Sequence, residues 1–167
     1  MSHPITISLG TNIQRTHYAR NGLVHLKAHF SDIRLSRMFE SEAVGFNGSP
    51  FYNCVIAAAT DKPLEEVVAT LKAIERENGR THSEKKFCAR TLDLDLLTYD
   101  NVVTTHPVRL PRAEILQNAF VLQPLAELLP DHVHPEAGKT YRQLWQEYDQ
   151  TSQRLWPIDF TWSDSKG

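Results

Sequence analysis

The chain has 167 residues, of which 41% are hydrophobic and 23% charged, and its formal charge is −2. These values predict one soluble globular domain spanning residues 1–167, and the negative charge argues against a general nucleic-acid binder, which usually carries a basic excess. No apolar run approaches the ~18 residues of a membrane span, the N-terminus lacks a secretory pattern and only two cysteines are present, so we expect a cytoplasmic, monomeric protein that binds no membrane.

Apolar periodicity predicts six elements in the first hundred residues. Alternation of apolar and polar residues is typical of strands, and apolar residues three or four apart are typical of amphipathic helices. In chain order these patterns predict a strand at 5–9, a helix at 19–30, strands at 33–39 and 51–59, a helix at 64–74 and a strand at 92–99. The order βαββαβ predicts an α+β fold with a ferredoxin-like core, in which two helices cover one face of an antiparallel sheet.

The remaining third of the chain is predicted to add to this core rather than to form a second domain. Apolar spacing predicts a helical segment over 111–129, broken by Pro124, and another over 140–148. Four large apolar residues alternate near the C-terminus: Trp156, Ile158, Phe160 and Trp162. They predict an extra strand or an apolar extension, which we expect to pack on the same domain.

The predicted fourth strand carries two carboxylates on one face. Because successive strand residues point to opposite faces, Asp93 and Asp95 lie on the same side of the sheet, about 7 Å apart. Mg²⁺ is commonly held by one or two carboxylates together with substrate phosphates, and a basic loop just upstream suits a polyphosphate. The bases of this loop are Arg80, Lys85, Lys86 and Arg90. The alternative is a solvated face whose acids pair with these bases, and the spacing alone does not choose between the two.

The segment KKFCARTLDLDLL, at 85–97, resembles the signature of the 6-hydroxymethyl-7,8-dihydropterin pyrophosphokinases. In that family the stretch typically reads Arg-Trp-Gly-Pro-Arg-Thr-Leu-Asp-Leu-Asp, and the match is complete from Arg90 to Asp95. Three further segments are similar to family stretches: SLGTN at 8–12, ESEAVGFNGSPFYN at 40–53 and AFVLQPLAELLPD at 119–131. The core of that family has the ferredoxin-like order predicted above.

The resemblance implies an enzyme of folate biosynthesis that moves the diphosphate of ATP onto the hydroxymethyl group of the pterin and releases AMP. Two Mg²⁺ ions would be held by Asp93 and Asp95, which form the implied catalytic set with Arg80 and Arg90. The implied pterin contacts are Ser41, Val44, Asn53 and Phe120. The implied nucleotide contacts are Lys72, Glu75, Arg80, Lys86, Phe87, Arg90 and Arg112. Such catalysis consists of positioning and charge neutralisation.

Several departures from the family pattern bear on rate and on the pterin used. The family's Trp-Gly-Pro is replaced by Phe-Cys-Ala at 87–89, and a family glutamine by Lys72. Arg112 stands where the family has His, and Asn118 stands where the family has Arg. We hypothesise that Arg112 is the working nucleotide ligand. The alternative is that Arg112 is an exposed residue at a helix start with no role in the reaction.

Two rival functions remain open at this point. The first is a divergent paralogue that acts on, or only binds, another pterin. The second is a non-catalytic ferredoxin-like binding module, such as an RNA-recognition domain, which needs exposed aromatic residues on its central strands. Elsewhere in the chain, His132 and His134 have a spacing seen in metal sites, but a pair without further ligands favours a solvent-facing turn. Cys54, in an apolar strand, is predicted to be a core residue.

Overall fold

The computed structural model describes residues 2–42, 50–79 and 91–162. The strands within these ranges are β1 (His3–Thr11), β2 (Ser31–Leu35), β3 (Met38–Ser41), β4 (Phe51–Thr60), β5 (Asp93–Tyr99) and β6 (Leu155–Ile158). The helices are α1 (Arg15–His29), α2 (Leu64–Glu77), α3 (Glu114–Gln117), α4 (Ala119–Leu128) and α5 (Tyr141–Glu147). None of the helices in these ranges is long and apolar enough to cross a bilayer.

The strands form one antiparallel sheet in the order β5–β1–β4–β3–β6, with β2 also paired to β4. This order confirms the predicted ferredoxin-like core. The predicted second strand is in fact two strands, because Ser36 interrupts the ladder. Its hydroxyl oxygen accepts the N–H of Val55 at 2.9 Å, in place of a backbone carbonyl.

Helices cover both faces of the sheet, and each face has its own core. The predicted pair, α1 and α2, packs on one face against apolar residues of the two central strands and β5, which include Ile7, Leu9, Ile56, Leu94 and Leu96. On the other face α4 and α5 bury a second cluster, which includes Val55, Leu97, Leu122, Leu125 and Tyr141. Each fully buried aliphatic side chain contributes roughly 1.5–3 kcal/mol. The C-terminal helices α4 and α5 thus form a third layer, on the side of the sheet opposite to α1 and α2.

The predicted helix over 111–129 divides at Asn118 and not at Pro124. Asn118 has extended backbone angles, φ −118° and ψ 123°, and separates α3 from α4. Pro124 lies inside α4, where it removes one backbone hydrogen bond and the helix continues through it. The local sequence signal for a break was therefore overridden by the apolar face that α4 packs on the sheet.

The rest of the C-terminal region follows the predictions closely. α5 begins with a capping box, in which Thr140 Oγ1 accepts the N–H of Gln143 and the Gln143 side chain accepts the N–H of Thr140. The alternating tail forms β6 on the edge of β3, as an extra strand. One prediction is wrong in part: His132 is exposed, but His134 is buried and does not face solvent. Its ring is held inside because Nδ1 accepts the backbone N–H groups of Glu136 and Ala137. Cys54 is a buried core residue with a free thiol.

Candidate active site

The candidate site is a row of residues across three neighbouring strands. Gly10 of β1 is in register with Asp93 of β5 on one side and with Asn53 of β4 on the other. Directly opposed residues of an antiparallel pair project to the same face, so the two polar side chains flank the glycine. Two inter-strand spacings separate their backbones by about 10 Å. Because the central residue is glycine, no side chain fills the space between them.

The row lies on the face that α4 and α5 cover further along the strands. Asp93, Asp95 and Leu97 share this face, and Leu97 packs in the α4 cluster. The alternate residues Leu94 and Leu96 pack with α1 and α2. The alternation predicted for this strand is thus confirmed. The two carboxylates precede Leu97 on the same face of β5, next to the cluster that α4 covers.

Asp95 is a carboxylate whose ionisation is opposed by its surroundings. Its side chain is 28% exposed. Burial, followed by repulsion from Asp93, raises the pKa of Asp95 well above its ordinary value, although Arg112 opposes the rise. A carboxylate pair whose ionised form is disfavoured in this way is a site that a bound cation stabilises. Two carboxylates that lack the rest of a ligand cage suit Mg²⁺, which keeps other positions for phosphate and water.

No group of three or more His, Cys, Asp or Glu side chains is arranged to hold a metal ion within 2–42, 50–79 and 91–162. A transition-metal centre built from these ranges is therefore not indicated, since such centres usually use three or four protein ligands. The donor set found instead fits a hard cation that a substrate brings with it.

Arg112 reaches the carboxylate pair from the segment before α3. Its backbone N–H donates to the carbonyl of Leu97 at 3.0 Å, which anchors the segment beside β5. Its guanidinium lies 3.3 Å from Asp95 Oδ1, and its Nε donates to Glu114 Oε2 at 2.9 Å. The side chain is 30% exposed. Arg112 is thus a half-buried, paired cation next to the carboxylates, and not the exposed helix-start residue of the alternative.

On the other side of Gly10, two buried polar side chains form a small polar pocket. Asn53 and Ser41 are both buried, and Asn53 Nδ2 donates to Ser41 Oγ at 2.6 Å. The other amide atom, Asn53 Oδ1, faces Gly10, where an added Cβ would lie 3.3 Å from it and 3.7 Å from the ring of Phe51. This carbonyl oxygen is a directed acceptor, and Phe51 provides an aromatic surface beside it.

Gly10 and Phe51 belong to the site although sequence reasoning assigned neither of them a role. The signal for Phe51 was available, because residues two apart in a strand share a face and Asn53 was already a candidate. The signal for Gly10 was only partial. Its segment was similar to a family stretch, but its position between Asn53 and Asp93 depends on which strands lie beside β1.

Phe120 stands in the first turn of α4, where it is half-buried against the α4 cluster. This helix packs on β3 and β4, the strands that carry Ser41 and Asn53. Asn118 precedes the helix and is also half-buried, with its side-chain oxygen accepting a hydrogen bond from Gln153. The ring of Phe120 is therefore carried by an element that borders the polar pocket.

The two candidates on α2 differ in exposure. Glu75 is buried, and its carboxylate accepts the N–H of Leu94 at 2.8 Å, at the open edge of β5 between the two aspartates. This contact holds the backbone that carries the carboxylate pair, a supporting task that the sequence did not indicate. Lys72 is exposed on α2, on the helix layer of the opposite face.

Five of the site residues implied by the resemblance lie outside the described residues: Val44, Arg80, Lys86, Phe87 and Arg90. Lys85, Cys88 and residues 43–49 lie outside them too. The described part of the site thus contains Asp93, Asp95, Arg112, Asn53 and Ser41, with Phe120 on the bordering helix.

Comparison with known proteins identifies the family of the chain. The family model of 7,8-dihydro-6-hydroxymethylpterin-pyrophosphokinase (HPPK) matches residues 6–130. A 2-amino-4-hydroxy-6-hydroxymethyldihydropteridine pyrophosphokinase of Synechocystis sp. is 34% identical over 160 residues, covering 93% of this chain and 80% of that protein. The protein of the same name from Bacillus subtilis is 31% identical over 161 residues, covering 93% of this chain and 92% of its own length.

Solved structures show the same fold. Wild-type HPPK-DHPS of Plasmodium falciparum superposes with a TM-score of 0.67 at 14% identity, covering 89% of this chain and 45% of that chain. A second structure of the wild-type Plasmodium protein, with pteroate, gives a TM-score of 0.68 at 13% identity, with 89% and 42% covered. This chain therefore spans less than half the length of those solved chains. With three-quarters of its residues matched by the family model, the chain belongs to the 7,8-dihydro-6-hydroxymethylpterin-pyrophosphokinase family.

Proposed function

We propose that the protein transfers the terminal diphosphate of ATP to the hydroxymethyl group of 6-hydroxymethyl-7,8-dihydropterin and releases AMP, a step of folate biosynthesis. The observation that carries the proposal is the row Asp93–Gly10–Asn53. In this row a carboxylate, proposed to bind the cation, and a buried polar pocket, proposed to hydrogen-bond a flat heterocycle, are about 10 Å apart on either side of a glycine. A diphosphate donor and a pterin acceptor need this kind of separation when their reacting groups meet between the two sites.

On the nucleotide side, Asp93 and Asp95 would hold Mg²⁺, which when bound neutralises phosphate charge and orients the diphosphate. Arg112 is proposed to contact the nucleotide phosphates, since its guanidinium already lies against Asp95. Its fork of donors suits phosphate oxygens. Arg80, Lys86, Phe87 and Arg90, together with Lys72 and Glu75, remain proposed contacts of the nucleotide on the strength of the family resemblance.

On the pterin side, the N–H donors of an amino-pyrimidinone ring match the acceptor that Asn53 presents. Since Asn53 Nδ2 donates to Ser41, the side-chain oxygen is left facing the space above Gly10. Phe120 is proposed to stack on the ring, an arrangement that aromatic planes favour at offset geometries. Val44 is proposed to add a backbone contact.

The transfer itself follows from this positioning. The hydroxymethyl oxygen of the pterin attacks the β-phosphorus of ATP, and the bond from that phosphorus to the α,β-bridging oxygen breaks. AMP leaves with the bridging oxygen, and the hydroxyl proton is lost to water. The protein's part is to hold the two reactants in line and to surround the phosphates with cations.

The RNA-binding alternative finds no support in the described ranges. Such modules stack bases on aromatic residues of open central strands. Here the site face of the central strands β1 and β4 carries Thr6, Gly10, Asn53 and Ala57, and Phe51 at the start of β4 is the single aromatic residue that these two strands present there. α4 covers part of that face. The paralogue alternative, another pterin as substrate, is decided by assay.

The decisive experiment measures AMP release from ATP with Mg²⁺ and several hydroxymethyl-pterins. We expect wild-type turnover with the 7,8-dihydro compound, and loss of at least a hundredfold in Asp93→Asn and Asp95→Asn, because each change removes one cation-binding charge. The matched control is Asp100→Asn, just beyond the far end of β5, where the side chain pairs with His3. It should retain activity. Near-wild-type turnover by both site variants would refute the carboxylate assignment.

A further inference from the structure

The segment over 150–156 contacts both borders of the proposed pterin site. It follows α5 and leads into β6, and it lies beyond residue 130, where the family match ends. Two sets of contacts define what it does, one to β3 and one to the start of α4.

The first set joins the segment to the strand that carries Ser41. β6 pairs with β3, with Leu155 opposite Ser41 and Trp156 opposite Glu40. The indole Nε1 of Trp156 donates to Glu40 Oε1 at 2.9 Å. The other oxygen of Glu40 accepts from Arg15, which also donates to the carbonyl of Pro50 at 3.1 Å. Arg15 thus links β3 to Pro50, the residue that precedes Phe51.

The second set joins the segment to the start of α4. The first N–H groups of a helix have no partner within it, and the N-cap residue Asn118 makes no side-chain capping bond. Gln153 supplies the missing partner, because its Oε1 accepts the N–H of Ala119 at 2.8 Å. Its Nε2 donates to Asn118 Oδ1 at 3.0 Å. One amide therefore caps the helix and fixes the residue before it.

We infer that Gln153 is a positioning residue for the pterin site, which holds the first turn of α4 so that Phe120 faces the pterin bound at Asn53 and Ser41. The inference rests on the proposed function. Phe120 follows Ala119 directly, so a helix start that frays moves the ring first. The opposite end of the same stretch is held by Arg112, whose N–H is bonded to Leu97.

The pairing also accounts for Asn118, where the family resemblance leads one to expect arginine. An arginine side chain has donors only and offers Gln153 no acceptor. The asparagine oxygen accepts the second half of the Gln153 amide, so the two residues form a matched pair. This chain uses the position to hold the helix start, while the neighbouring cation is Arg112.

The test compares pterin binding and ATP-analogue binding, by calorimetry with Mg²⁺ present, in wild type and in Gln153→Met. Methionine has a similar volume and removes these two hydrogen bonds, together with the longer one that Gln153 Nε2 donates to the carbonyl of Gln117 at 3.5 Å. We expect pterin Kd to rise about tenfold, equivalent to about 1.4 kcal/mol, while the Kd of the ATP analogue changes less than twofold. Hydrogen exchange at the Ala119 amide should accelerate. The control is Gln150→Met in the same segment. Among the described residues the Gln150 amide donates to the carbonyl of Trp145, away from α4, so this variant should leave both affinities unchanged.

Asn118→Ala provides a second route to the same answer if Gln153→Met folds poorly. On its own, Asn118→Ala removes the bond from Gln153 Nε2 and should weaken pterin binding while the Kd of the ATP analogue changes less than twofold. Where Gln153→Met folds, the two side chains act as a pair, so the double variant should weaken pterin binding no more than Gln153→Met alone. Additive losses, or pterin binding that is unchanged while the melting temperature falls, would show a merely structural amide and overturn the inference. A wild-type protein that binds no pterin would remove the proposed function and this inference together, whereas wild-type binding with an unaffected variant removes the inference alone.

Discussion

Replacing Arg112 by alanine separates two tasks that the structure allows this side chain. Its guanidinium lies 3.3 Å from Asp95 Oδ1 and its Nε bonds Glu114 Oε2 at 2.9 Å. If Arg112 binds the nucleotide phosphates during turnover, Arg112→Ala removes a charge-assisted contact from the transition state. If it only neutralises Asp95 while the cation site is vacant, the same change frees a carboxylate for Mg²⁺.

The size of the first effect follows from the environment of the side chain. At 30% exposure the guanidinium is partly shielded from water. A hydrogen bond to a charged group then contributes ~1.5–3 kcal/mol. Arg112→Ala should therefore lower kcat/KM for ATP by about 10- to 150-fold. The kcat/KM of Arg112→Lys should lie between those of Arg112→Ala and wild type, since lysine keeps the charge and lacks the planar guanidinium.

Steady-state kinetics at varied ATP and Mg²⁺, with thermal melts of each variant, provide the measurement. The matched control is Arg109→Ala, three residues earlier, where the side chain is 57% exposed and pairs with Glu136. Surface pairs of this kind contribute little, so its kinetics should stay within about twofold of wild type. An Arg112→Ala enzyme with unchanged kcat/KM and tighter Mg²⁺ binding would refute the nucleotide role and leave only the neutralising one.

Two further predictions concern Asp95 and Gly10. The pKa of Asp95 is raised in the folded state. Between the unfolded pKa, ~4, and this raised pKa, the folded chain therefore binds more protons than the unfolded chain. The metal-free protein should lose stability as the pH rises through this range. Urea unfolding in EDTA should therefore show Asp95→Asn more stable than wild type at pH 7 and equal to it near pH 4; a wild type that gains on the variant with rising pH would contradict this sign. Gly10→Ala adds a Cβ 3.3 Å from Asn53 Oδ1, so pterin KM should rise several-fold while ATP KM stays near wild type, and equal effects on both substrates would count against the central position of Gly10.

Much of the fold follows from patterns that are local in the chain. The placement of Asp93 and Asp95 on one face needs only the two-residue repeat of a strand, and it proved correct. The order βαββαβ followed from apolar periodicity in the same way, and the family resemblance added the activity. These features depend on residues a few positions apart, which is the range that periodicity describes.

Other local signals gave wrong or incomplete answers where packing competed with them. Pro124 predicted a helix break, but the apolar face of α4 is buried on the sheet and the helix continues. The alternation over 33–39 predicted one strand, and the Ser36 hydroxyl divides it by accepting the N–H of Val55. In each case the free energy of a tertiary contact exceeded the local preference.

The working geometry of the site belongs to the tertiary structure alone. That Asn53 and Asp93 flank Gly10 depends on β4 and β5 lying on either side of β1. Periodicity carries no information on strand order. The same holds for Glu75 under the Leu94 amide and for Gln153 at the start of α4, pairs that are distant in sequence. Such contacts are set by how the layers pack, because their partners meet only after the sheet and both helix layers have formed.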